Sequence, residues 1–411
     1  MRQAVILLVA VSIATPAATA DWPSFAGPTR DLQSPETGLL KSWPSKGPQV
    51  LWSVNVGRGF GGVAVHSGKV YLLDRGRNVD NIRCFNLADG KEEWNYQYEA
   101  PGKFSYPGSR SHPSVDEKYV FTLGPKGDLY CINKKTRKPK WNVNVVKGTG
   151  GKVPNWGISQ APALYKDLII VAPVGSKAGM VAFKKETGDL TWKSSPLPGD
   201  ISYASPMPST IDGVDQVITV TTTTILGVDA QTGKMLWQTG EWKCRIPIAT
   251  PVHLGNGKVF VTGGYDAGCA MFLVKKRGTK FTVRTVFKTR KSNGQIRQPI
   301  LYKDHLYMNG NDKGKRDGLV CMDLKGSVKW KTGKDPGFDW GGLLMADGVI
   351  YAVDGAHGDL CIIKPDPSGY KELSRAKGLL NRKQAWASMA LSDGKLLIRD
   401  QSRLKCINVK E

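Results

Sequence analysis

Apolar residues along this chain come in short runs, each closed by a polar turn, and the runs recur. Eight of them read as central strands: Lys69 to Leu73, Lys118 to Leu123, Asp167 to Ala172, Gln216 to Thr221, Lys258 to Thr262, His305 to Asn309, Val349 to Val353 and Lys395 to Arg399. They are rich in Val, Ile, Leu, Tyr and Thr, which suit a pleated, buried surface. In the regular copies a strand with a small residue follows, then a tight Gly turn, then a strand carrying Trp. The fullest copy is Val228-Asp229-Ala230-Gln231-Thr232-Gly233-Lys234-Met235-Leu236-Trp237. Its Asp-x-x-x-Gly core predicts a hairpin in which Gly takes the left-handed conformation that a side chain resists. Few segments show a helical apolar period.

The Trp recurs at Trp52, Trp94, Trp141, Trp192, Trp237 and Trp330, and Gly90, Gly188, Gly233 and Gly326 stand four residues before four of them. Arg137 replaces the Gly before Trp141. A period in the forties with a strand–turn–strand ending in an aromatic predicts propeller blades. Gly278 and Gly369 keep the turn in the fifth and seventh copies, where Thr282 and Leu373 take the Trp place. Those two interfaces are expected to be looser. The eighth copy has only three strands before the chain stops, while "VLWSVNV" (Val50 to Val56) stands alone at the other end with Trp52 in register. The expected fold is all-β: an eight-bladed propeller of four-stranded antiparallel blades over residues 51–411, closed by pairing of the N- and C-terminal strands. Closure removes sheet edges that an open array would expose.

Residues 21–50 are rich in Pro, Gly and Trp and predict an irregular meander lying over the folded body. Residues 1–20 combine Arg2, an apolar run from Ala4 to Ala14 and Ala18-Thr19-Ala20, the pattern of a secretory signal peptide. The run is too short for a membrane span, and no other stretch is apolar enough to cross. An exported protein is expected, periplasmic or extracellular, and monomeric. Cys84, Cys131, Cys321, Cys361 and Cys406 share one strand position with Ala182 and Gly227, a column of small buried sites rather than a disulfide framework. Only Cys244 and Cys269 fall outside it.

The formal charge of +23 favours anionic partners, though solubility, with the Lys residues mostly in turns and on outer strands, is the preferred account of it. No dense Lys/Arg run of the nucleic-acid type is present, so no nucleic-acid partner is expected. Candidate chemistry sits where the first strands enter the channel. Aligning them on Pro113, Pro162, Pro206, Pro251 and Pro299 gives a column three residues earlier: Phe60, Arg110, Ser159, Tyr203, Ile248, Ile296, Trp340 and Trp386. Phe60, Trp340 and Trp386 should cluster, with Arg110 beside them. Aromatic faces next to a cation suit a sugar ring or a flat anionic ligand. The competing expectation is packing under the N-terminal meander. The five His residues show no metal spacing and look like loop or strand-end positions. No nucleophile elbow, phosphate loop or dinucleotide fingerprint is present.

The turn-and-Trp repeat resembles the pyrroloquinoline quinone (PQQ) repeat family of eight-bladed propellers, and the opening "DWPSFAGP" with "SPETGLLKSWPSKGPQVLW" is similar to exported propellers of planctomycete-like bacteria. The resemblance implies one of two activities. Quinoprotein dehydrogenases hold the quinone with a Trp, adjacent cysteines and Ca²⁺; this chain has no adjacent cysteines and no mappable acidic cluster. The other branch, similar to the propeller subunit of the outer-membrane assembly machine, is a non-enzymatic scaffold anchored through a lipid-bearing Cys that is absent here. The expectation is a non-enzymatic exported scaffold or binding protein, acting through its rim or channel mouth on a protein partner or anionic glycan, without cofactor or metal. The alternatives are a divergent dehydrogenase using PQQ with calcium, and a propeller that binds acidic polysaccharide.

Overall fold

A computed structural model describes residues 20–381 and 384–411. The leader expected over residues 1–20 lies outside them, apart from Ala20. Eight sheets of at least four strands form the body, each antiparallel from channel to rim. The helix among the described residues is a single turn, Val145–Thr149. The eighth sheet takes its outer strand, Val50–Asn55, from the front of the chain and pairs it with Arg403–Asn408. The ring therefore closes by the expected pairing of termini.

The repeat now has a physical account. In all eight blades the outer strand carries a β-bulge, and in six the residue after it faces the small-residue column: Trp52 opposite Cys406, Trp94 opposite Cys84, Trp141 opposite Cys131, Trp192 opposite Ala182, Trp237 opposite Gly227 and Trp330 opposite Cys321, while in the fifth Phe287 stands opposite Met271. A bulge bends the strand and re-aims a side chain. Here the ring is aimed at the next blade. The conserved spacing of Gly and Trp thus joins neighbours: a Cβ on Gly90 would sit 2.7 Å from Trp52, one on Gly188 2.7 Å from Trp141, and one on Gly233 2.4 Å from Trp192. Arg137 keeps the same left-handed turn at φ 61° without glycine.

Two blades depart from the predicted register. In the fifth blade the hairpin is lengthened to ten-residue strands, so Thr282 is out of register and Phe287 packs on Gly326 of the next blade, 2.6 Å from its Cβ position. In the seventh, Leu373 is the bulged residue, and Ser374 and Arg375 follow it. A ring comes from elsewhere: Trp43 donates its indole N–H to the Leu360 carbonyl at 3.1 Å, its backbone N–H to Ser374 Oγ, and leans on Tyr351. All seven cysteines are buried and free, Cys244 and Cys269 included.

The N-terminal segment divides: residues 39–43 lie over the seventh and eighth blades, while residues 22–34 run along the inner strands and enter the channel. Trp22 exchanges backbone hydrogen bonds with Val65 of the first blade, the Pro23 carbonyl accepts from Val115 of the second, and Arg30 Nη2 donates to Leu164 O of the third at 2.7 Å. Gln33 Nε2 donates to Leu301 O of the sixth, and Gln33–Ser34 adds a parallel strand inside the seventh. A strand's inner edge would otherwise leave its N–H and C=O groups unpaired. The plug pairs them from within, and Trp22 is 1% exposed.

Candidate functional site

The innermost strands begin a few residues after the predicted column, so the column rings the channel at the end opposite the plug. All eight of its positions line one cavity of about 460 Å³, a size suited to a small-molecule or side-chain ligand. Phe25 of the plug reaches its floor.

Three connectors bring the predicted aromatics together. Phe60 stacks on Trp386 with centroids 5.5 Å apart, and Trp340 meets Trp386 edge-on at 4.9 Å. Trp386 is oriented by its indole N–H, which donates to Asp339 Oδ2 at 2.7 Å, and Trp340 by its donation to the Asn311 carbonyl. Arg110 lies over Phe60 at 5.1 Å and is tied to the carbonyls of Gly108 and Tyr106. Tyr203 stands across the cavity, its ring 5.2 Å from Trp156 and its carbonyl accepting from Ser159 Oγ. This close approach of connectors needs glycine. A Cβ on Gly61 would stand 2.2 Å from Ser111 O, and one on Gly62 2.5 Å from Ser388 O.

Other lining residues lay beyond the column. Tyr106 and Trp156 sit on irregular connectors and Tyr265 on the turn between Lys258–Gly263 and Gly268–Arg277, where no column position points to them. Arg316 covers Trp340 at 4.8 Å and pairs with Asp339 at 2.9 Å. Arg297, one residue past the column, donates to Ser388 Oγ at 2.8 Å while its Nε has no partner. His112 is fully buried rather than a simple strand-end residue. Its Nδ1–H donates to Pro113 O, which leaves Nε2 without a partner. Five buried polar side chains with an unpartnered atom (Ser292, Asn293, Gln295, Arg297 and Gln298) fall on one connector beside the cavity. Such a concentration marks a place for solvent or ligand.

The electrostatics are one-sided. Arg110, Arg297, Lys313 and Arg316 line the cavity, and no Asp or Glu does among the described residues. Burial lowers Arg110 and Arg297 to about 10, and lowers His112 to about 4. At neutral pH the arginines stay charged and His112 is neutral. Calcium requires several carboxylate and amide oxygens. The lining offers no carboxylate, and no group of three or more His, Cys, Asp or Glu gathers as a metal site among the described residues. These residues do not fit a calcium–quinone centre.

Residues 80–332 match the family profile described as outer membrane protein assembly factor BamB. That span is more than half the chain. The chain belongs to this family. By sequence it is also 22% identical over 199 residues to a quinohemoprotein alcohol dehydrogenase of Comamonas testosteroni, covering 46% of this chain and 27% of that enzyme. Among solved structures it resembles BamB from Moraxella catarrhalis, at 15% identity and TM-score 0.62, over 88% of this chain and 98% of that one. It also resembles a europium-containing methanol dehydrogenase, at 12% identity and TM-score 0.64, over 95% and 98%. At these identities the likeness is one of fold. No helix among the described residues is long and apolar enough to cross a membrane.

Proposed function

We propose that this protein is an exported, non-enzymatic binding propeller that takes a ring-bearing anionic group of a glycan or protein partner into its channel mouth. One observation carries the reading: a cavity walled by all eight blades, lined by aromatic rings and four cations, and lined by no carboxylate. Ring faces bind sugars and planar groups, and Arg110 and Arg297, which have no carboxylate partner among the described residues, are answered best by a ligand's own negative charge. Membership of a family named for an assembly factor supports a protein as the partner.

The test is a binding screen against a glycan array and an acidic–aromatic peptide library. Trp340→Ala and Trp386→Ala should weaken any hit at least about tenfold and shift the melting temperature little, because the mouth is solvated on one side. Arg110→Ala should lose anionic ligands alone. If the rings only pack, both Trp variants lose about 3–5 kcal/mol of stability instead. Absence of any hit, or hits untouched by all three variants, overturns the reading.

The sequence match to a quinohemoprotein alcohol dehydrogenase favours a second reading, a divergent quinone enzyme. The cationic lining without carboxylates weighs against it. Protein mixed with the quinone and Ca²⁺ should retain neither after desalting and should not reduce dye with alcohols. Stoichiometric retention of quinone would reverse the order of the two readings.

A further inference from the structure

The fifth blade has the longest outer hairpin among the described strands, and its charge is one-sided. Residues 267–303 contain Lys275, Lys276, Arg277, Lys280, Arg284, Lys288, Arg290, Lys291, Arg297 and Lys303, and no Asp or Glu. Eight of these cations lie on or just past its outer hairpin, Gly268–Arg277 and Lys280–Thr289.

The strand pairing sorts the outer half of this hairpin into two faces, since paired residues in an antiparallel ladder share a side. Phe272, Val274, Phe281 and Val283 fall on one side and pack into the hydrophobic cluster of the fourth blade with Trp237 and Trp242. The other side carries Lys275, Arg277, Lys280 and Arg284, with Arg277 directly opposite Lys280. Like charges placed opposite each other destabilise a hairpin. Asp212 of the fourth blade answers Lys275 at 3.1 Å, while Arg277, Lys280 and Arg284 have no ion pair among the described residues and are exposed. Lys280 and Arg284 stand about 13 Å apart along the strand at ~3.3 Å per residue. The result is an elongated cationic face, anchored by an apolar one, with Asp212 as the one carboxylate paired to it among the described residues.

We propose that this face is a second binding site, separate from the channel mouth, for a linear acidic polysaccharide, carboxylated or sulfated. A chain with evenly spaced negative charges answers a row of cations along its length and relieves the Arg277–Lys280 opposition. The other polyanions fit less well. No aromatic side chain is exposed on this face to stack a nucleic-acid base. The tip, Arg277-Gly278-Thr279-Lys280, has no apolar residue to enter a lipid surface. The bulge at Val286 breaks the outer edge where an acidic peptide strand would have to pair in register.

The experiment titrates the full chain with polygalacturonate, chondroitin sulfate, double-stranded DNA and anionic vesicles at about 0.1 M salt, where surface charges still act over roughly 10 Å. Arg277→Gln, Lys280→Gln and Arg284→Gln are combined in one variant. A control variant combines Lys135→Gln, Lys138→Gln and Lys140→Gln, exposed cations of the second blade, so both lose three charges. The hairpin variant should bind at least one of the two polysaccharides about tenfold more weakly, and the control less than about twofold, with both melting as the parent does. Equal losses in the two variants overturn the site, because net charge then suffices. Failure of both polysaccharides to bind, or tighter hairpin-dependent binding of DNA or vesicles, overturns the ligand class. In a Trp386→Ala background the roughly tenfold difference between parent and hairpin variant should persist, so loss of the channel-mouth reading would not remove this site.

Discussion

Trp192 and Gly233 show how single residues hold the ring together. The glycine turn is left-handed at φ 71°, and a Cβ there would stand 2.4 Å from the indole. Gly278 has a similar φ of 58° with nothing within 4 Å. Gly233→Ala should therefore cost about 1 kcal/mol for the backbone and as much again or more for the clash, while Gly278→Ala should show only the first part. Urea unfolding of the pair separates the two. His112 supplies a pH-linked term. Its folded value is lowered to about 4 by burial, so between that and its ordinary 6.5 the unfolded chain binds the extra proton. Stability from this group is present above about pH 6.5 and is lost as pH falls toward 4, by up to about 3 kcal/mol. Melting temperatures measured across that window should fall less steeply for His112→Gln than for the parent.

At the level of elements, closure and plugging are separate devices, and each can be removed. Without Val50–Asn55 the strand Arg403–Asn408 loses its outer partner and becomes an exposed edge. A chain lacking residues 50–55 should aggregate or melt well below the parent; a monomer with unchanged melting temperature would mean the ring closes some other way. The plug makes a different prediction. Trp22→Ala removes a buried ring packed on Gly27 and on the first blade, and should destabilise by roughly 3–5 kcal/mol. Because Phe25 is carried on the same segment and lines the cavity floor, ligand affinity at the mouth should fall with it, which a Trp386→Ala control distinguishes from direct contact loss.

Across the whole molecule, the blade count, the antiparallel order and the pairing of termini were legible because each depends on local patterning repeated at a fixed interval. A strand with alternate burial, a glycine turn and an aromatic every forty-odd residues has few solutions other than a closed ring. The channel-mouth column was legible for the same reason, since eightfold equivalence maps one position onto all blades. Where the repeat is irregular the chain alone misleads. Thr282 and Leu373 sit at the expected spacing from glycine, yet a longer hairpin and a shifted bulge put Phe287, and Ser374 with Arg375, in the Trp place. Pairing register is set by long-range contacts, which spacing does not contain. The same holds for Trp43 over the seventh blade, Phe25 under the cavity, and the opposition of Arg277 and Lys280. By itself, then, the sequence determined the repeating architecture and the residues that face the channel. Only the tertiary structure decided that part of the N-terminal segment fills one end of that channel, that the other end gathers more cations than carboxylates, and that the fifth blade turns a charged face outward. These are juxtapositions of residues far apart in the chain, made by packing rather than by period.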